Sequence, residues 1–244
     1  MKKSAFTGLV FALLLAAAAP VRAQTPAGAY PKMAPVEQYL IADRNAEIAL
    51  ARSAAPPSIS KDASVLVLTR RGYETAVEGT NGFVCFVDRS WSSNFDDPGF
   101  WNPRLRGPVC MNPAAARSAL PLQKRQTELA LSGLSREEIL ARMKDAVAKK
   151  ELGPPEIGAM SYMMSKQQYL GDQNGHWHPH LMFYVPGDTN AAAWGANLPS
   201  SPVFGGGQDL PGGGRMPWTL FFVPIPQWSD GTPATEHEGK TATK

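Results

Sequence analysis

The chain has 244 residues, with 24 Lys and Arg against 21 Asp and Glu. Lys2, Lys3 and Arg22 lie in the first 23 residues, which hold no acid, so 24–244 carries 21 charges of each sign. A body without net charge offers no electrostatic basis for nucleic acid as a partner. The 22 Gly and 22 Pro point to many turns and long irregular connections.

The N-terminus predicts a cleavable export signal. Lys2-Lys3 precedes an apolar run over 6–18, and Val21-Arg22-Ala23 places cleavage after Ala23. The run is shorter than the roughly 20 apolar residues of a membrane span. No later stretch is long enough, so the expected product is a soluble periplasmic or secreted protein. It comprises a mobile leader over 24–34, one globular domain over 35–228, and a disordered tail over 229–244 that includes His237.

A helix is expected over 35–53, with Pro35 at its start and Pro56-Pro57 beyond its end. Three strands follow: Ser64–Thr69 (SVLVLT), Tyr73–Glu78, and Phe83–Asp88 (FVCFVD). The turns at Arg70-Arg71-Gly72 and Thr80-Asn81-Gly82 predict an antiparallel meander. Cys85 and Cys110 are the two cysteines of an exported chain and are expected to form a disulfide. That link would close about 25 residues and stabilise by roughly 3 kcal/mol. The rival reading makes Cys85 a nucleophile with a histidine as base.

Residues 89–113 contain four prolines and read as irregular. Trp91, Phe95, Phe100 and Trp101, with Arg104 and Arg106 close by, either pin this loop to the body or offer a stacking surface for a ligand. Helices are expected over 120–132, stopped by Gly133, and over 136–150. The second has a capping box at Ser135 and Glu138 and a staple of Leu134 on Ile139. A Met-rich strand is expected over 157–165 and another over 177–185. Residues 189–208 read as mostly loop, 204–215 as a flexible Gly-rich loop without phosphate-loop features, and 218–224 as a last strand. The order predicts an α+β domain: a mainly antiparallel sheet of five to six strands, about three helices on one face, and long Pro/Gly-rich loops.

The candidate site is Gly175–Pro186, GHWHPHLMFYVP, which holds three of the four histidines. On a strand, His176, His178, His180, Met182 and Tyr184 share one face, and Trp177, Pro179, Leu181, Phe183 and Val185 the other. The second set is the expected core face and the first the expected ligand face. Imidazole suits transition metals, and thioethers would favour copper over zinc. The outer two of three alternating residues stand roughly 13 Å apart, so one ion takes two histidines unless Pro179 bends the chain. Further ligands would come from Met160, Met163, Met164, Asp172 or Tyr184. The expected function is therefore metal binding, by copper or zinc, without catalysis. The alternatives are a zinc-dependent hydrolase and an aromatic-rich interaction module with structural histidines. The sequence names no catalytic residue.

Overall fold

The computed structural model describes residues 30–172, 175–187 and 189–234. The expected signal, the leader up to residue 29 and 235–244 of the expected tail, with His237, lie outside them. No described helix is long and apolar enough to cross a membrane.

The elements are α1 (Arg44–Arg52), α2 (Pro57–Ser60), β1 (Ser64–Thr69), β2 (Gly72–Val77), β3 (Val84–Asp88) and β4 (Gly107–Met111). Next come α3 (Pro113–Ser118), α4 (Leu120–Leu131), α5 (Arg136–Ala148), β5 (Met160–Met163), β6 (His180–Pro186), β7 (Phe204–Asp209) and β8 (Arg215–Pro224). The strands form one sheet in the order β2-β1-β3-β4-β5-β6-β8-β7. The class is α+β as expected, but the sheet has eight strands rather than five to six.

Local chemistry explains the helix boundaries. The Asp43 carboxylate accepts from the Asn45 and Ala46 amides, so it caps α1 and starts it well inside the helix expected over 35–53. The stretch before Asp43 keeps a single 3-10 turn, Val36–Gln38. The capping box of α5 is present as expected. Ser135 Oγ accepts from the Glu138 amide at 3.2 Å, and Glu138 Oε2 accepts from the Ser135 amide at 2.8 Å.

Three expectations about the sheet need correcting. The first three strands are not a meander, because β3 pairs with β1 in parallel (Ser64↔Val84, Val65↔Cys85). After β2 the chain crosses back beneath the start of β1. The Gly79 amide donates to Ser64 Oγ, and a Cβ on Gly79 would stand 2.1 Å from the Ser64 nitrogen. Asn81 Nδ2 then donates to the Ile59 carbonyl, so β3 enters on β1's free side.

The second correction concerns β4, hidden among prolines. Pro108 is tolerated in an interior strand because the β4–β5 ladder pairs Cys110 and Met111, farther along the strand. The third concerns the Gly-rich stretch, which forms edge strand β7. Gly205 is a packing requirement there, since a Cβ on it would stand 2.1 Å from the Leu220 carbonyl oxygen.

Helices cover both faces rather than one. The larger core lies between one sheet face and α3, α4 and α5, and includes Leu66, Phe86, Met111, Ile139, Met143, Met182 and Trp218. The smaller lies under α1 on the other face and includes Ala51, Val65, Cys85 and Cys110. Cys85 and Cys110 face each other across β3–β4 and are disulfide-bonded, as expected. This removes Cys85 as a nucleophile.

A buried ion pair ties α1 to the sheet. Arg89 Nη2 donates to Glu47 Oε1 at 2.8 Å, both side chains being within 1% of full burial. The same oxygen accepts from the Leu68 amide, and Arg89 Nε donates to the Tyr39 carbonyl.

Candidate functional site

His180 opens β6, and the preceding residues leave the sheet, so alternation along a strand does not apply to His176 and His178. Pro179 is the transition: its carbonyl accepts from the Ile225 amide, and β6 begins one residue later. The three histidines thus meet three environments. His176 is exposed, His178 half-buried, and His180 only 1% exposed.

The His180 ring packs against Trp177 at 4.4 Å between centroids and against Phe222 at 5.9 Å. Its Nδ1 lies 2.8 Å from the His178 carbonyl oxygen, so the neutral ring donates there. Burial pushes its pKa down to about 4, against the opposing effect of that hydrogen bond. His180 is a neutral core residue at neutral pH.

The faces of β6 are the reverse of the expected ones. Ladder partners share a face, and one row runs Val84, Met111, Ser161, Met182, Phe222, Phe204. Met182, Tyr184 and His180 lie on this face, which carries the larger core. The opposite row runs Val65, Cys85, Cys110, Tyr162, Leu181, Val223. Its first half lies under α1, whereas Leu181, Phe183, Val185 and Val223 remain half-buried.

The proposed accessory ligands are scattered. Met163 is buried and opposite His180 on the neighbouring strand; Met164 is also buried. Met160 pairs with Phe183, and Tyr184 shares a hydrogen bond with Ser161 Oγ at 3.2 Å. Asp172 is engaged elsewhere. It accepts from Tyr30 Oη at 2.8 Å and Asn102 Nδ2 at 3.3 Å, and also from Tyr169 Oη and the Arg104 guanidinium. Among the described residues, no three His, Cys, Asp or Glu are grouped to hold a metal ion.

The aromatic loop offers no free ring face. Trp91, Phe95, Phe100 and Trp101 are 0–7% exposed and fill the larger core. Trp91 Nε1 donates to Thr127 Oγ1 at 3.0 Å, fastening the loop to α4. An open cleft of about 390 Å³ lies on α4 and the end of α5. Its lining includes Lys124, Arg125, Glu128 and Glu151, none of them nominated from sequence.

Exposed apolar side chains occur elsewhere. Trp194, 41% exposed, lies flat on Phe221 at 4.6 Å between centroids and near Phe183 at 6.3 Å. Leu198, on the same connection, is 55% exposed. Both fall in the stretch expected to be loop, where a single Trp after three alanines gives no pattern that separates buried from exposed. Asn197 steers this connection: its side chain donates to the Gly205 carbonyl and accepts from the Gly205 amide, occupying the outer edge of β7. No family model matches the chain, and neither a curated protein nor a solved structure matches it.

Proposed function

We propose that the chain is a binding protein that docks the uncharged, apolar surface of a partner polypeptide on the β6–β8 face beneath Trp194. One observation carries this reading: the more apolar face of β6 is the less covered one. Leu181, Phe183 and Val185 are half-buried, while the face bearing His180 and Tyr184 is packed into the core. Exposed apolar patches of this kind mark interaction sites, and tryptophan is the favoured anchor. A flat sheet face suits a protein surface, whereas small ligands take concave sites. Leu181, Phe183, Val185, Val223, Trp194 and Leu198 bring no charge, so the partner's matching surface is uncharged. The disulfide suits an oxidising compartment, where the partner would be met.

A photocrosslinking residue at Leu198, in the exported chain in its producing cells, tests this. The expected result is one discrete adduct that disappears in Trp194→Asp with thermal stability retained. No adduct, or a smear indifferent to Trp194, removes the reading. An adduct of twice the chain's mass replaces the partner with a second copy.

A second reading keeps one observation. Met163 faces His180 across the β5–β6 ladder, pairing a thioether with an imidazole as copper(I) favours. We propose as its test the copper and zinc content of the mature protein, repeated with His176, His178 and His180 replaced by Ala. No stoichiometric metal after exposure to either ion eliminates it.

A further inference from the structure

Ile157 is the most exposed large apolar side chain among the described residues, at 95%. It stands at the tip of a turn after Pro154-Pro155, on the connection from α5 to β5. Pro155 before the tip and Ala159 after it are buried.

The backbone of this tip is tied down from several directions. The Ala159 amide donates to the Glu156 carbonyl at 3.0 Å and closes the turn, and Gly158 supplies the positive φ of 82° at its third position. The Glu156 amide donates to Ser118 Oγ at 2.9 Å. The Arg117 guanidinium donates to both Glu156 carboxylate oxygens, at 3.0 and 2.7 Å, a two-pronged grip that fixes direction as well as distance. Asn112 Nδ2 donates to the Gly158 carbonyl at 2.8 Å. The polar groups of the tip are engaged, while the isoleucine side chain is held out in water. Such a side chain loses little freedom when it enters a pocket on another surface.

The cleft of about 390 Å³ on α4 and the end of α5 has room for one aliphatic side chain. Pro121, Ala146 and Leu152 give its lining an apolar part. Tip and cleft are joined twice along the chain. Arg117 and Ser118, which hold the tip, end α3 just before Pro121 and Lys124 of α4, and Glu151-Leu152 lead directly into the Pro154-Pro155 approach. The two therefore lie side by side on one surface. A two-fold axis passing between adjacent patches sets each tip on the other copy's cleft and closes the assembly at two.

The charges complement each other in the same way. Lys124 and Glu151 of the cleft stand in no ion pair among the described residues. The tip is flanked by one acid, Glu156, and one cation, Arg117, both exposed to solvent. Each sign on the tip has its opposite on the cleft.

We propose that the chain associates as a symmetric pair in which Ile157 of each copy fills the α4–α5 cleft of the other. This surface lies on the helix-covered side of the sheet that carries α3 to α5, and Trp194 lies on the opposite side, so the pair leaves the β6–β8 face open.

Sedimentation equilibrium of the full exported chain tests the pair. A concentration-dependent dimer is expected, and a monomer throughout about 1–500 µM overturns the proposal. Ile157→Asp removes the contact twice in a symmetric pair and should weaken association about 100-fold or more. Its thermal unfolding should match the wild type, because so exposed a side chain supports little of its own chain. Pro121→Trp, which fills the cleft from the exposed start of α4, should weaken association comparably. A dimer indifferent to either change overturns the knob-in-cleft contact. An equimolar mixture of the two variants should associate more tightly than either alone, since the intact tip of one meets the open cleft of the other; a mixture no tighter than its components also overturns it.

Discussion

The two halves of the sheet are built on different rules. In the first, β1 and β4 are apolar at successive positions and lie between helices, with α1 on one face and α3 and α4 on the other. In the second, β5 and β6 alternate between buried and half-buried, with the core-side residues the buried ones, whereas on β8 Thr219 and Phe221 on the Trp194 side are fully buried and Leu220 and Phe222 half-buried. A strand covered on both sides reads as a continuous apolar run, and one covered on a single side alternates. The pattern shows how many faces are covered; it does not show which.

The largest expected effect lies in the doubly covered half. Glu47→Ala would strand the Arg89 guanidinium beneath α1 and remove the acceptor of the Leu68 amide. Breaking a buried pair by deleting one partner costs about 3–5 kcal/mol. Replacing both residues with apolar ones of similar volume should cost less than Glu47→Ala alone. Urea unfolding curves of the three proteins measure this, and equal losses would show that the pair is not coupled.

Each half also buries a group whose titration bears on stability between about pH 4 and 7, and the two act in opposite directions. Asp88 rises from 3.8 to about 7, so its contribution is present at low pH and is lost as pH climbs through that window. His180 falls from 6.5 to about 4, so its contribution is present above 6.5 and is lost as pH falls toward 4. At about 1.4 kcal/mol per unit, Asp88 is worth roughly 4–5 kcal/mol and His180 roughly 3–4 kcal/mol, and between pH 4 and 6.5 the slopes nearly cancel. The wild type should show a flat stability plateau there. Asp88→Asn should expose a steep acid-side loss, and His180→Phe a loss toward neutral pH. Unchanged plateaus in both variants would count against both assignments.

Joining the Cys85–Cys110 link stabilises the first half by roughly 3 kcal/mol if its loop of 25 residues constrains the unfolded chain. The Cys85→Ala/Cys110→Ala protein, compared with the wild type by thermal unfolding with and without reductant, measures that. Wild type under reductant should approach the double variant.

Much of this fold was legible because its signals are local. The SVLVLT strand, the Ser135–Glu138 capping box and the facing cysteines each rest on chemistry within a few residues or on a pairing of two. What was not legible depended on approach from afar. β7 looked like a flexible loop until β8 was laid so close that Gly205 could carry no Cβ. The parallel entry of β3 depends on the crossing at Gly79. The histidine face was misjudged for a related reason. Leu181, Phe183 and Val185 outrank His180 and Tyr184 in hydrophobicity, but the larger core lies on the other side of β6. Burial follows what covers a face as well as what the face contains.

The smallest expected effect on folding is the one that tests this inversion most directly. Trp194 is 41% exposed and covers Phe221, so Trp194→Ser should cost about 1 kcal/mol, below the 3–5 kcal/mol of a fully buried aromatic. Tyr184→Ser, on the covered face of the same sheet half, should cost the larger amount, since its ring packs edge-on to Trp218 inside the core. Docking should respond in the opposite order. The Leu198 crosslink should vanish in Trp194→Ser and survive in whatever Tyr184→Ser protein remains folded. If instead Trp194→Ser unfolds the chain as severely as Tyr184→Ser, Trp194 closes the core, and the β6–β8 face is a structural surface with no partner to hold.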